Sequence, residues 1–209
     1  MKTSDWLLIG IIAFVLIDFA AGRVINFLNE KSKNQPLGPE AADIYSEAEY
    51  QKSMAYGTAN YKLESFASVI STSVILAAII LGFFANLDSL IRERIGNDLL
   101  VTVLFIGILI ILSSLGSLPA SIYSTFVIET KYEFNKTTPK LFIADQVKNL
   151  LLSLGIGLPL LYAIAWIYQE LQSVFWLVAW LLVASFTLFM FVFGTRIFLP
   201  LFNKWRIII

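Results

Sequence analysis

The sequence predicts an all-α polytopic membrane protein, with five transmembrane helices plus cytoplasmic amphipathic helices forming a single membrane domain over residues 1–209. Three observations carry this. Hydrophobic residues make up 58% of the chain and charged residues 14%, where a soluble domain has about 45–50% and about 25%. Four stretches, each long enough to cross about 30 Å of hydrocarbon, contain no charged residue. Most of the charge falls instead in two segments between the stretches.

The first span is expected at about 6–26. Its run WLLIGIIAFVLIDFAAG is interrupted by Asp18. A cleaved signal peptide is the rival reading, with Ala20 and Ala21 at the cleavage point. Only Lys2 precedes the apolar run, which continues directly into AGRVINFL. An uncleaved helix fits better.

The second span is expected at 65–87 and the third at 99–118. The fourth is expected at 149–169 and the fifth at 174–194. None of these four shows the polar stripe of a soluble amphipathic helix. Ser113, Ser114, Gly116 and Ser117 give the third span a small face suited to close helix contact, and Pro119 is expected to end it. Gly155, Gly157 and Pro159 loosen the fourth, and Pro159 is expected to kink it.

Orientation follows from the 15 basic residues. Lys2, Arg92 and Arg94 fall on one side, and the other twelve fall on the opposite side, in the 27–64 and 119–148 loops and near the span ends. Lys and Arg accumulate on the cytoplasmic side. The N-terminus is therefore expected outside and the C-terminus in the cytoplasm. In a bacterial cell the membrane would be the plasma (inner) membrane.

The 27–64 loop opens on EKSKNQPLGPE, where Pro36, Gly38 and Pro39 oppose regular structure. A helix is expected from about Ala41 toward the second span, with Glu49 and Lys52 spaced to pair. Tyr45, Tyr50, Tyr56 and Tyr61 lie along it. They serve either as interfacial anchors or as contacts for another domain. In the 119–148 loop, Thr138 followed by Pro139 marks a helix start. The threonine hydroxyl can cap an exposed N–H, and the proline has no N–H to leave bare. Asn135-Lys136-Thr137 matches a glycosylation acceptor, but on the expected topology it faces the cytoplasm, so the match is fortuitous.

Several function classes are excluded. There are no cysteines and no histidines, so disulfides, thiol catalysis, a histidine general base and a histidine-ligated zinc site are all absent from this chain. The formal net charge is zero, and no basic patch argues for nucleic acid. Asp18 is the only acid within a span. A mid-membrane acid costs about 2.5–3.5 kcal/mol on insertion scales, so it lies either near enough to the interface to reach water or against a water-filled interior. One such residue is thin support for a transporter or channel.

The segment Leu118–Lys148 reads LPASIYSTFVIETKYEFNKTTPKLFIADQVK. It resembles the loop between the third and fourth spans of the type 1 CAAX prenyl proteases, whose pattern is close to LP-x-x-x-Y-x-T-F-V-I-E-x-K-F-G-F-N-K-T-T-P. Tyr123, Thr125, Phe126, Glu129, Lys131, Phe134, Asn135, Lys136, Thr137, Thr138 and Pro139 occupy that pattern. Tyr132-Glu133 stands where the family often has Phe-Gly. Tyr50, Lys52, Ser53 and Tyr56 in the first loop, and Pro200-Leu201-Phe202-Asn203-Lys204 near the end, extend the likeness over nearly the whole chain.

The resemblance implies the N-terminal membrane scaffold of a zinc metalloendopeptidase that processes prenylated or membrane-associated peptides. In the family, an H-E-x-x-H helix after the fifth span binds zinc, and its glutamate serves as general base. This chain ends at Trp205-Arg206-Ile207-Ile208-Ile209 without that motif. It is therefore expected to hold no cofactor and to be inactive by itself. A truncation or frameshift would place an H-E-x-x-H motif in the downstream DNA. Expected partners are membrane lipid and a catalytic metallopeptidase domain or subunit, toward which Glu129, Lys131, Asn135 and Lys136 would face. The blander role for these four is to fix the loop's own fold. The competing function is a natural non-catalytic membrane binding or regulatory protein.

Overall fold

A computed structural model describes residues 3–33 and 46–202. Among them are six α-helices, one π-helix and no strand. Five helices are long and apolar enough to cross a membrane, and the chain is a multi-pass integral membrane protein. Its apolar exposure is the reverse of a soluble protein's. The buried apolar side chains are Ile91, Leu99, Val101, Ile128 and Ile167, while Phe14 is 72% exposed and Phe191 84% exposed. Hydrocarbon, not water, is the medium that such a surface suits.

Helix α1 covers Thr3–Lys33 in one piece, straight through Asp18. Helix α2 covers Glu47–Ile80. The helix expected from about Ala41 therefore begins at Glu47, and Ala41–Tyr45 lie outside the described residues, as does the 34–40 segment with its prolines. Ser46 sets the start of α2. Its hydroxyl accepts from the Glu49 N–H at 3.3 Å, and the Glu49 carboxylate accepts from the Ser46 N–H at 3.1 Å. This reciprocal box satisfies two otherwise bare donors.

The second span was expected to run to residue 87. Instead α2 stops at Ile80, and helix α3 occupies Phe83–Arg92. Gly82 makes the break, with φ +69°. A left-handed residue past a helix end satisfies the last carbonyls, and glycine adopts that conformation without a Cβ clash. Apolarity alone carried the expected boundary past this glycine.

Helix α4 covers Asp98–Tyr123 and passes directly into a π-helix, Ser124–Glu129. The expectation that Pro119 ends the third span is therefore overturned, because Pro119 lies inside α4. Proline removes one N–H and crowds the preceding turn. Within a membrane, local π adjustment and Ser or Thr side chains can satisfy the freed carbonyls. In the π-helix that follows, the Thr130 hydroxyl donates to the Thr125 carbonyl at 3.3 Å across the widened turn.

Helix α5 covers Pro139–Leu171 and α6 covers Phe175–Phe202. Thr138 caps α5 as its sequence implies. Its hydroxyl accepts from the Leu141 N–H at 3.3 Å, and Pro139 stands in the first turn. Pro159 lies within α5. The 119–148 segment expected as a loop is thus helical at both ends, and residues 132–138 form its non-helical part.

The chain divides into two compact units. One comprises Met1–Leu90 and Leu112–Thr137, and the other comprises Ile91–Ile111 and Thr138–Ile209. In the first unit, α1 packs on α2, and α2 packs on the π-helix. In the second, α5 packs on α6, and Gly107 of α4 meets Leu158 of α5. A Cβ on Gly107 would lie 3.3 Å from Leu158 Cδ1.

Candidate functional site

The family-like motif folds as a short, internally bonded loop at the end of the π-helix. The Glu129 carbonyl accepts from the Phe134 N–H at 2.8 Å and from the Asn135 N–H at 3.2 Å. The Asn135 side chain donates to Thr130 Oγ1 at 3.1 Å and accepts from the Thr137 N–H at 2.6 Å. Asparagine brackets a turn in this way because its short amide reaches backbone groups on both sides. Glu133 at the apex has φ +63°. This is the position where the family pattern often has glycine, and a side chain there meets the steric cost of the left-handed region.

Three contacts tie this loop to α2. Lys52 Nζ stands 2.6 Å from Glu133 Oε2. The Tyr132 hydroxyl donates to the Ala55 carbonyl at 3.1 Å. The Tyr56 ring meets Tyr132 and Phe134 edge-on, with centroids 5.7 and 4.9 Å away. Lys52 Nζ also lies 5.5 Å from the Phe134 ring centre. The α2 contacts come from successive positions on one helical face, 52, 55 and 56, as a period of 3.6 residues requires. The Lys52 ammonium bonded to Glu133 holds that carboxyl below the usual carboxylate range, through the hydrogen bond first and the charge second.

The four loop candidates separate. Asn135 is taken up by the loop's own bonds. Glu129 is half-buried, and its backbone carbonyl closes the turn. Lys131 and Lys136 are exposed, and Lys131 Nζ lies 5.4 Å from the Tyr132 ring centre. The expected pairing of Glu49 with Lys52 does not form, because the Glu49 carboxylate closes the cap at Ser46 while Lys52 reaches Glu133, and Tyr56, expected as an interfacial anchor or interdomain contact, packs on this chain's own motif. The sequence reading missed Ser46, although Ser46-x-x-Glu49 is a capping-box pattern. Tyr45 lies outside the described residues.

Asp18 is exposed and lines a groove between α1 and α2. Arg23 of α1 and Thr72 of α2 line the same groove.

A histidine-ligated zinc does not fit the donors present. The chain has no histidine or cysteine, and among the described residues no three Asp or Glu are grouped to hold a metal ion. The contacts between the 132–138 loop and α2 form a structural clamp.

Comparison with known proteins agrees in extent and in fold. A family profile described as "CAAX prenyl protease N-terminal, five membrane helices" matches residues 26–204. The Dictyostelium discoideum protein called CAAX prenyl protease 1 homolog is 29% identical over 201 residues, covering 93% of this chain and 47% of that protein. The Saccharomyces cerevisiae CAAX prenyl protease 1 is 30% identical over 187 residues, covering 84% and 41%. The crystal structure of S. mikatae Ste24p superposes with a TM-score of 0.82 at 27% identity, covering 94% of this chain and 48% of that one. The chain spans about half the length of the curated relatives it matches.

Proposed function

The chain belongs to the CAAX prenyl protease family through its N-terminal five-helix domain, and from that premise we propose that it is the membrane scaffold of a peptidase whose catalytic portion lies outside residues 1–209. The carrying observation is the family motif at 118–139, kept as an ordered loop clamped to α2, in a chain without histidine or cysteine. The 209 residues act as one membrane domain. The catalytic portion supplies zinc and hydrolyses prenylated or membrane-associated peptides. Lys131, Lys136 and the Glu129 carboxylate face it, while Asn135 shapes the loop that presents them. Asp18 lines the groove between α1 and α2.

Co-expression tests this. The chain and the remaining half of the S. cerevisiae relative, made as separate polypeptides, are expected to co-purify and to cleave a farnesylated peptide with chelator sensitivity. The chain alone is expected to cleave nothing and to bind no stoichiometric zinc. Chelator-sensitive cleavage by the highly purified chain alone overturns the scaffold reading. Failure of the two halves to associate overturns the partner.

The orientation belongs to the same proposal. The N-terminus lies outside and the loops at 27–64 and 119–148 lie in the cytoplasm, supported by the uneven distribution of Lys and Arg. Reporter fusions at residue 40, at residue 170 and at the C-terminus are expected to read inside, outside and inside. Residues 40 and 170 reporting the same side rules the topology out.

A further inference from the structure

Helix α3 is too short to span a membrane, yet both of its ends are tied to helices that do. Its ten residues reach about 15 Å, half of a roughly 30 Å hydrocarbon layer. Residues 65–82 carry no charge and rise about 27 Å, so Gly82 stands near the edge of that layer. At the other end, Arg92 Nη1 lies 2.6 Å from Asp98 Oδ1, and Asp98 is the first residue of α4. Residues 99–128 then run uncharged through the next span. Consecutive spans are joined on one side of a membrane. The end of α2 and the start of α4 are therefore at the same surface, and α3 connects them there.

The sequence of α3, FFANLDSLIR, has two faces. Phe83, Phe84, Leu87, Leu90 and Ile91 fall within an arc of about 120°, and Asn86, Asp88, Ser89 and Arg92 take the rest of the circumference. One edge of the apolar arc is covered by protein, because Ile91 is buried. The other edge is open, because Phe83 and Leu90 are exposed. Ile80 and Leu81, the last residues before Gly82, are exposed as well. Lipid covers such side chains at the end of a span, and Phe83 follows only two residues later. The exposed apolar surface thus continues from α2 through the turn onto α3, and so does the medium that covers it.

We propose that α3 is an interfacial helix, lying in the plane of the bilayer with the lipid surface as its partner. Phe83 and Leu90 sit at the acyl boundary, while Asn86 and Ser89, both exposed, face the headgroups and water. A helix with Phe and Leu on one face sinks that face about 5–10 Å into the boundary between headgroups and acyl chains. Projection into water would strip lipid from Phe83 and Leu90. Continuation of α2 into hydrocarbon would carry Asp88 and Arg92 with it, at a cost of about 2.5–3.5 kcal/mol for each charge at mid-membrane. The plane of the interface avoids both. The Arg92–Asp98 pair holds the far end of α3 at the level where α4 enters the bilayer. The proposal depends neither on the peptidase reading nor on which side of the membrane is cytoplasmic.

Site-directed spin labelling of the full chain in phosphatidylcholine vesicles tests it. The chain has no cysteine, so each single-cysteine variant carries one nitroxide. Phe83→Cys, Asn86→Cys, Ser89→Cys and Leu90→Cys all replace exposed side chains. Each label is read by power saturation with oxygen, which partitions into lipid, and with a water-soluble nickel chelate. Labels at 83 and 90 are expected to favour oxygen and to differ in depth by less than about 5 Å, half of the roughly 10 Å that separates them along a helix. Labels at 86 and 89 are expected to favour the nickel chelate. A label at 83 deeper than one at 90 by the full helical rise overturns the proposal and makes α3 a continuation of α2. Nickel access at 83 and 90 equal to that at 86 and 89 overturns it and places α3 in water. Exclusion of both reagents from 83 and 90 overturns it and assigns the face to a protein contact. Leu87→Cys, half-buried on the same face, substitutes for an apolar-face variant that fails to fold.

Discussion

Lys52 of α2 and Glu133 of the 132–138 loop meet at 2.6 Å across 81 positions of sequence, and Glu133 does so from a left-handed backbone conformation. A strained apex and an ion pair are thus built from the same residue. The ion pair stabilises the conformation that the side chain otherwise disfavours. The Tyr56 ring packs edge-on against both Tyr132 and Phe134, the residues on either side of Glu133.

The clamp is expected to weaken in acid. The folded-state carboxyl of Glu133 titrates below its ordinary value of 4.5 because of Lys52. A depressed carboxylate contributes stability that is fully present above the unfolded value. That stability is lost as pH falls through the folded one. Hydrogen exchange of residues 129–138, corrected for intrinsic rates, should therefore show constant protection from pH 7 to about 5 and a decline below about 4. In Glu133→Gln the decline should vanish. An unchanged decline in that variant would assign it to another group.

Backbone geometry gives a second expectation at the same residue. Glu133→Gly loses the Lys52 contact but removes the left-handed penalty, so the loop should keep its protection. Glu133→Val loses the Lys52 contact, keeps the left-handed penalty and adds β-branching, and its protection should fall by roughly tenfold or more. Exchange rates at 130–137 order the variants. A valine variant as well protected as the glycine one contradicts the left-handed geometry.

The first turn of α5 depends on Thr138. Removing its hydroxyl leaves the Leu141 N–H without an acceptor at the boundary of the motif. Thr138→Ala should cost about 0.5–2 kcal/mol, read as lost protection at 139–143. Thr138→Ser should restore it. Ser46→Ala should behave alike at the start of α2, where the box with Glu49 is broken.

Much of this architecture was legible because a membrane span is a composition signal as well as a pattern. Residues 99–118 and 174–194 contain no charge, and no packing detail is needed to read them. The Thr138-Pro139 start was legible because capping is local chemistry. Boundaries set by single backbone conformations were not. Gly82 ends α2 inside an unbroken apolar run, and Pro119 lies inside α4 without ending it. The candidate site was half legible. The 129–139 motif announces itself, but its partners Lys52 and Tyr56 lie about 80 positions away, and only tertiary contact reveals them.

Gly107 provides the most direct test of packing within the membrane. Helices in lipid gain little from burying apolar surface, because the tails they leave are equally apolar, so close van der Waals contact decides their association. Gly107 is buried on α4, and a Cβ there would stand 3.3 Å from Leu158 Cδ1 and 3.5 Å from Cδ2. A methyl group needs a shift of only a few tenths of an ångström by a flexible leucine end. Gly107→Ala should therefore be nearly neutral in thermal unfolding of the detergent-solubilised chain. Gly107→Leu forces the helices apart and should cost about 1–3 kcal/mol, the usual penalty of overpacking. Leu158→Ala combined with Gly107→Leu should recover part of that loss, since the smaller residue returns the space. The coupling between the two substitutions is then favourable and measurable by a double-mutant cycle. Strict additivity of the pair would mean that Gly107 and Leu158 do not share this contact.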